Sequence, residues 1–222
     1  MFRFSTVLVL SASLAACQAA PGDAEARRGA RPAAGVQAPT PSQQEVPVND
    51  LSVQDDLSRF IPAGSKRLAL QRTDLDGDGR EDALLIVDPP SAADAKLGEG
   101  APRSVLVLIR DADGRLQAAR RSDKLVPCAR CGGIAGDPFG YLRVHPGGFT
   151  VLLEGGSRER WSDEFVFDYS APQQDWLLAK AVRSVVDTET GQDKRIELRV
   201  DDFGEVRFEA FDRDRLPSVR EP

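Results

Sequence analysis

Residues 161–169 read Trp161-Ser162-Asp163-Glu164-Phe165-Val166-Phe167-Asp168-Tyr169. Trp161, Phe165, Phe167 and Tyr169 occupy odd positions, and Ser162, Glu164 and Asp168 stand between them. Successive side chains of a β-strand point to opposite faces, so this period of two gives one aromatic face and one polar face. The same alternation returns further along. Ile196, Leu198 and Val200 alternate with Arg195, Glu197 and Arg199, and Val206, Phe208 and Ala210 alternate with Glu205, Arg207 and Glu209. Upstream, 83–87 and 105–109 are unbroken apolar runs, the pattern of strands covered on both faces.

Turn residues separate these segments at short intervals: Asp111-Ala112-Asp113-Gly114, Gly147-Gly148, 170–174, 188–193 and 201–204. Gly147-Gly148 can supply the two positive φ angles of a two-residue hairpin. That turn would set Val144 opposite Val151 and Leu142 opposite Leu153. In the last hairpin, pairing Arg199 with Glu205 puts Glu197 against Arg207 and Arg195 against Glu209. Opposite charges across strands contribute about 0.2–1 kcal/mol each, so this register is expected over one that opposes like charges. No period of 40 to 50 residues recurs, which argues against a propeller. The expectation is a mainly β, single-domain antiparallel meander over 49–222, closed as a barrel or folded as a sandwich, with a short helix or irregular cap at 48–60 carrying Leu51, Leu57 and Phe60.

The N-terminus is read as outside this domain. Arg3 precedes the short apolar stretch Val7-Leu8-Val9-Leu10, an export-signal pattern too short for a permanent membrane helix. Leu14-Ala15-Ala16-Cys17 resembles the bacterial lipobox, which implies cleavage after residue 16 and lipidation of Cys17. By the sorting rule that goes with this resemblance, Gln18 implies retention at the outer membrane of the cell envelope. Residues 17–48 are rich in Ala, Pro, Gly and Gln and bury too little apolar surface to offset the entropy of ordering, so a flexible linker is expected. Lipid and linker would anchor the domain to a membrane. With 29 Lys plus Arg against 35 Asp plus Glu, a net charge of −6, and no basic cluster, the chain lacks the electrostatic footprint of a nucleic-acid binder.

Residues 74–82, Asp-Leu-Asp-Gly-Asp-Gly-Arg-Glu-Asp, carry a chemistry in their spacing. Carboxylates at positions 1, 3, 5 and 9 with glycine at 6 can fold oxygens around a hard cation. Position 12, where a helical EF-hand needs a bidentate Glu, is Leu85, and both flanks read as strands. The loop resembles the Asp-x-Asp-x-Asp-Gly-x-x-Asp turn of FG-GAP and VCBS-type β proteins. That resemblance implies Ca²⁺ held by Asp74, Asp76, Asp78 and Asp82 and the Arg80 carbonyl. A metal-free turn, each Asp accepting from nearby N–H groups, is the alternative.

Cys128 and Cys131, followed by Gly132-Gly133, form the other conspicuous motif. Zinc needs about four ligands, and His145 is the only further soft donor. A thioredoxin-like pair would open a helix in a parallel unit. A local disulfide in an oxidising envelope is favoured over free thiols. Glycines at 136–140 and 155–156 suggest backbone bends or close approach of a ligand. Arg158, Arg160 and Trp161 combine residue types common in binding hot spots and are the candidate binding surface. His145, before Pro146-Gly147-Gly148, reads as a surface turn residue. The order of Asp-Leu-x-x-Asp-Gly, Cys-x-x-Cys-Gly-Gly, Gly-Asp-Pro-Phe and Gly-Gly-Ser-x-x-x-Trp resembles a group of bacterial envelope proteins of uncharacterised function over residues 58–182. It implies an exported β-rich domain. The expected function is a calcium-stabilised, noncatalytic module binding an envelope protein or glycan. A calcium-assisted hydrolase of cell-wall or extracellular polymer is the alternative.

Overall fold

The computed structural model describes residues 57–219, two antiparallel sheets that stack as a β-sandwich. Strands β1 (Lys66–Thr73), β2 (Asp82–Asp88), β3 (Arg103–Arg110) and β4 (Leu116–Val126) form the first sheet in chain order. Strands β5 (Phe139–His145), β6 (Gly148–Gly156), β7 (Glu159–Ser170), β8 (Asp175–Asp187) and β9 (Asp193–Arg199) form the second, also in chain order. The meander is therefore observed, and of its two expected closures the sandwich is the one adopted. The signal segment, Cys17, the linker and most of the 48–60 segment lie outside the described residues. No helix among those described is long and apolar enough to cross a membrane.

The unbroken apolar runs behave as strands with two dry faces. Every residue of β2 is buried. Leu84, Ile86, Val105 and Val107 point between the sheets, while Ala83, Leu85, Val87, Leu106 and Leu108 form a second cluster on the outer face of the first sheet. Leu57, Phe60 and Ile61 cover that outer face. Between the sheets, β7 contributes Phe165 and Phe167, stacked or edge-on with Phe149, Phe208 and Phe211.

Two registers differ from expectation. The β5–β6 turn is centred on Pro146-Gly147: His145 pairs with Gly148, Val144 with Phe149 and Leu142 with Val151. Proline presets φ for the first central position of a tight turn, and only Gly147 needs positive φ, at 78°. The turn thus lies one residue earlier than a Gly-Gly hairpin would, and Leu142 and Val144 each meet a partner two residues nearer.

The expected final hairpin does not form. β9 pairs with β8, Glu197 opposite Val182 and Arg195 opposite Ser184, so Arg199, Glu197 and Arg195 do not face Glu205, Arg207 and Glu209. After β9 the chain makes one helical turn (Val200–Phe203), reverses at Gly204 with φ 74°, and enters a 3-10 turn at Phe208–Ala210. Side chains three apart eclipse in a 3-10 turn, and here that spacing puts Phe208 and Phe211 into the core, both fully buried. Burying two rings outweighs a few exposed charge pairs worth about 1 kcal/mol or less each.

Candidate functional site

The acidic loop joins β1 to β2, and its geometry is fixed by its own carboxylates. Asp74 Oδ1 accepts from the N–H groups of Gly77 (2.8 Å) and Asp78 (3.2 Å), and its Oδ2 accepts from Gly79 (2.9 Å). Asp76 accepts from Asp78 N–H at 3.2 Å, and Asp78 from Arg80 N–H at 2.8 Å. Gly77 and Gly79 take φ of 82° and 85°, which lets consecutive N–H groups turn inward. Desolvation pushes the Asp74 carboxyl up, but the surrounding N–H donors outweigh it and hold it below the ordinary value. Desolvation, with Asp78 and Asp74 close by, holds Asp76 above its ordinary value.

Asp74, Asp76 and Asp78 each bring one oxygen to within 4.8 Å of the others. Ligands at 2.3–2.6 Å from a common Ca²⁺ can lie at most about 5 Å apart, so these three fit one ion. Asp82 is placed differently. It is fully buried, its Oδ2 accepting from Leu75 N–H and its Oδ1 from Arg110 N–H, both at 2.8 Å. Burial raises its carboxyl above the ordinary value, against those two donors. Asp82 thus ties the loop to β3. The Arg80 guanidinium pairs with Asp78 and its Nε donates to Arg110 O at 2.7 Å.

The loop also reaches the second sheet. Leu75 is a core residue, its carbonyl accepting from the Trp176 indole at 3.1 Å, and Asp74 O accepts from Gly147 N–H at 2.9 Å. A cation held by the three Asp side chains would thus pin the end of both sheets.

At the other end of β2, residues 127–138 cross from the first sheet to the second. Cys128 and Cys131 are bridged there, with Cα atoms 5.1 Å apart. The crossover is anchored by Arg103, a residue the sequence did not single out. Its Nε donates to Asp88 at 2.9 Å, and its two terminal nitrogens grip Asp137 of Gly-Asp-Pro-Phe at 2.6 and 2.5 Å. Burial alone would lower the Arg103 pKa, but the two carboxylates outweigh it and raise it. The glycines allow close backbone approach: Gly156 N–H donates to Gly132 O at 2.8 Å, and a Cβ on Gly155 would lie 2.4 Å from the Trp161 ring.

Arg158, Arg160 and Trp161 part company. Arg158 turns to Asp187 (2.7 Å) and Glu189 (3.0 Å). Arg160 is exposed and lines a hollow together with Trp161. The Trp161 ring carries the Arg213 guanidinium at 4.0 Å. Beneath them Asp163, a second residue sequence reading missed, is buried and shared by Arg183 (2.9 Å) and Arg213 (2.5 Å). His145 is exposed, 3.5 Å from Asp168. No protein-family model, curated protein or solved structure matches this chain.

Proposed function

We propose that this is a calcium-stabilised, noncatalytic binding module of the bacterial cell envelope, held at the outer membrane by lipid on Cys17 and recognising an envelope protein or glycan. The convergence of the Asp74, Asp76 and Asp78 oxygens carries the reading. The loop's bonds to Trp176 and Gly147 explain why an ion there would act on stability. The lipid anchor and envelope location rest on the lipobox resemblance at 14–17. The hydrolase alternative would need a cleft with raised carboxyls. Among the described residues the raised ones are Asp76 and Asp82, both in the loop itself.

The experiment is a thermal melt with calcium and with chelator. Calcium at a hundredfold its Kd adds about 2.7 kcal/mol, a rise of about 5–10 °C for a domain of this size. Asp78→Ala should abolish the rise. An unmoved melting temperature in the native sequence would remove calcium. Terbium luminescence sensitised through Tyr169, whose phenol lies within the field of Asp76 and Asp78, gives an independent readout. A mature chain lacking a diacylglyceryl mass at Cys17 would remove the anchor.

A further inference from the structure

At the end of the domain away from the acidic loop, the crossover, the β6–β7 turn and the C-terminal segment enclose a half-open cavity of about 500 Å³. Leu97, Ile134, Gly156, Trp161, Arg183 and Arg213 are among its walls. The metal reading gives it no role. Two observations define what it would take.

The first is its rim. Among the described residues the two most exposed large hydrophobic side chains are Ile134, 74% exposed, and Leu97, 57% exposed. They come from separate loops and meet at this one opening. Aliphatic side chains gathered at the mouth of a cavity offer it an apolar contact that water cannot supply.

The second is its base. Arg183 and Arg213 share the single carboxylate of Asp163. Arg183 donates from Nη1 to the carbonyls of Leu216 (3.3 Å) and Pro217 (3.1 Å) and from Nη2 to Asp163 (3.3 Å). Arg213 is fixed by Nε on Asp163 and by its face on Trp161. Its two terminal nitrogens have no acceptor among the described residues, and the residue is part of the cavity wall. Glu159, on the same wall, brings a second carboxylate, so the charged side chains lining the cavity balance. A guanidinium held rigid with its fork unspent is set to take a carboxylate by two parallel hydrogen bonds.

We propose that this cavity binds a carboxylate carried on an aliphatic group, with the carboxylate on the Arg213 fork and the aliphatic part against Ile134 and Leu97. A fatty acid and the last residue of a peptide ending in an aliphatic side chain present the same chemistry. The inference rests on reading the domain as a binding module and names its ligand class.

The test titrates the full chain with octanoate and with a short peptide ending in leucine as the free acid, followed by calorimetry and tryptophan fluorescence. Octylamine, acetate and the amidated peptide are the controls. One acid should bind saturably, and which one does so identifies the source. Each control should bind at least about tenfold more weakly. Arg213→Gln should weaken binding similarly, but it also strips a partner from Asp163. Ile134→Glu removes an exposed side chain, should leave the melting temperature unchanged, and should weaken binding about tenfold. Failure of both acids to bind, or binding within about twofold of native in Ile134→Glu, overturns the assignment. The same samples are melted with chelator. A melt insensitive to calcium with the acid bound sinks the metal reading alone, and a calcium-dependent melt with no acid bound sinks this one alone.

Discussion

Asp163 stands on the aromatic face of β7, between Trp161 and Phe165, where a period of two calls for another apolar side chain. The exception has a partner: Arg183 lies directly opposite on β8. The turn alone does not give that pairing: continued from Ser170 opposite Asp175 it would set Val182 there, and the bulge between Val166 and Phe167 shifts the register by one residue to bring Arg183 opposite. The contribution of Arg213, 50 residues on, depends on a C-terminal path that local pattern does not encode. Buried ions are tolerated only in pairs, and removing one partner leaves the other stranded at a cost of about 3–5 kcal/mol. Asp163→Asn should lose that much in urea unfolding, and a loss under about 1 kcal/mol would show the triad to be dispensable. Asp187 makes a different prediction. The Arg158 guanidinium, helped by the Glu189 and Thr190 N–H groups, lowers its carboxyl from 3.8 to about 2. The unfolded chain therefore takes up the proton first as pH falls. The stabilisation is complete above the ordinary carboxylate range and fades as pH drops towards about 2. Melts of Asp187→Asn should show less acid sensitivity than the native chain between about pH 4 and pH 2. Equal sensitivity would contradict the Arg158 pairing.

Strands were readable where their pattern is imposed by burial alone. The runs at 83–87 and 105–109 have dry faces on both sides, and the aromatic alternation of 161–169 faces the space between the sheets. Turns were readable as positions but not as geometry, because Pro146 sets φ for a tight turn and moves the centre away from the Gly147-Gly148 pair. The glycines differ among themselves for the same local reasons. Gly114 has φ 79° and nothing near its missing Cβ, whereas a Cβ on Gly156, at φ 105°, would lie 1.9 Å from Glu159 O. Gly114→Ala should cost about 1–2 kcal/mol, the penalty of left-handed backbone. Gly156→Ala must also move backbone and should cost clearly more. Matching costs in denaturant unfolding would mean the β6–β7 turn gives way to the added Cβ without penalty. The Cys128–Cys131 bridge closes a very short loop, so reducing it should remove only about 2 kcal/mol. A larger loss would mean that it also holds the 89–102 loop, where Gly98 N–H donates to Arg130 O at 2.8 Å.

Two sheets joined by one crossover leave a slot between them that neither sheet fills, and the C-terminal segment fills it. Phe208, Phe211 and Leu216 enter the core. Arg207 bonds across to Asp175 (3.6 Å), Asp212 to Lys124 (3.0 Å), and Arg213 to Asp163. Val206, Phe208 and Ala210 alternate with charges as a strand would. The spacing that tells otherwise is Phe208 to Phe211, three residues apart, the period of a 3-10 turn. Fully burying each of the three side chains is worth about 1.5–3 kcal/mol. Their sum is comparable with the whole stability of an ordinary domain, about 5–15 kcal/mol. A chain ending at Arg199 keeps all nine strands, yet it would open the Phe149, Phe165 and Phe167 cluster to water. It should lose its cooperative melt, keep much of its β-sheet circular dichroism and bind a hydrophobic dye, the behaviour of a collapsed state without fixed packing. A sharp transition within a few degrees of the native chain would show that the two sheets close on their own. The segment would then be a cover laid over a finished core rather than the part that completes it.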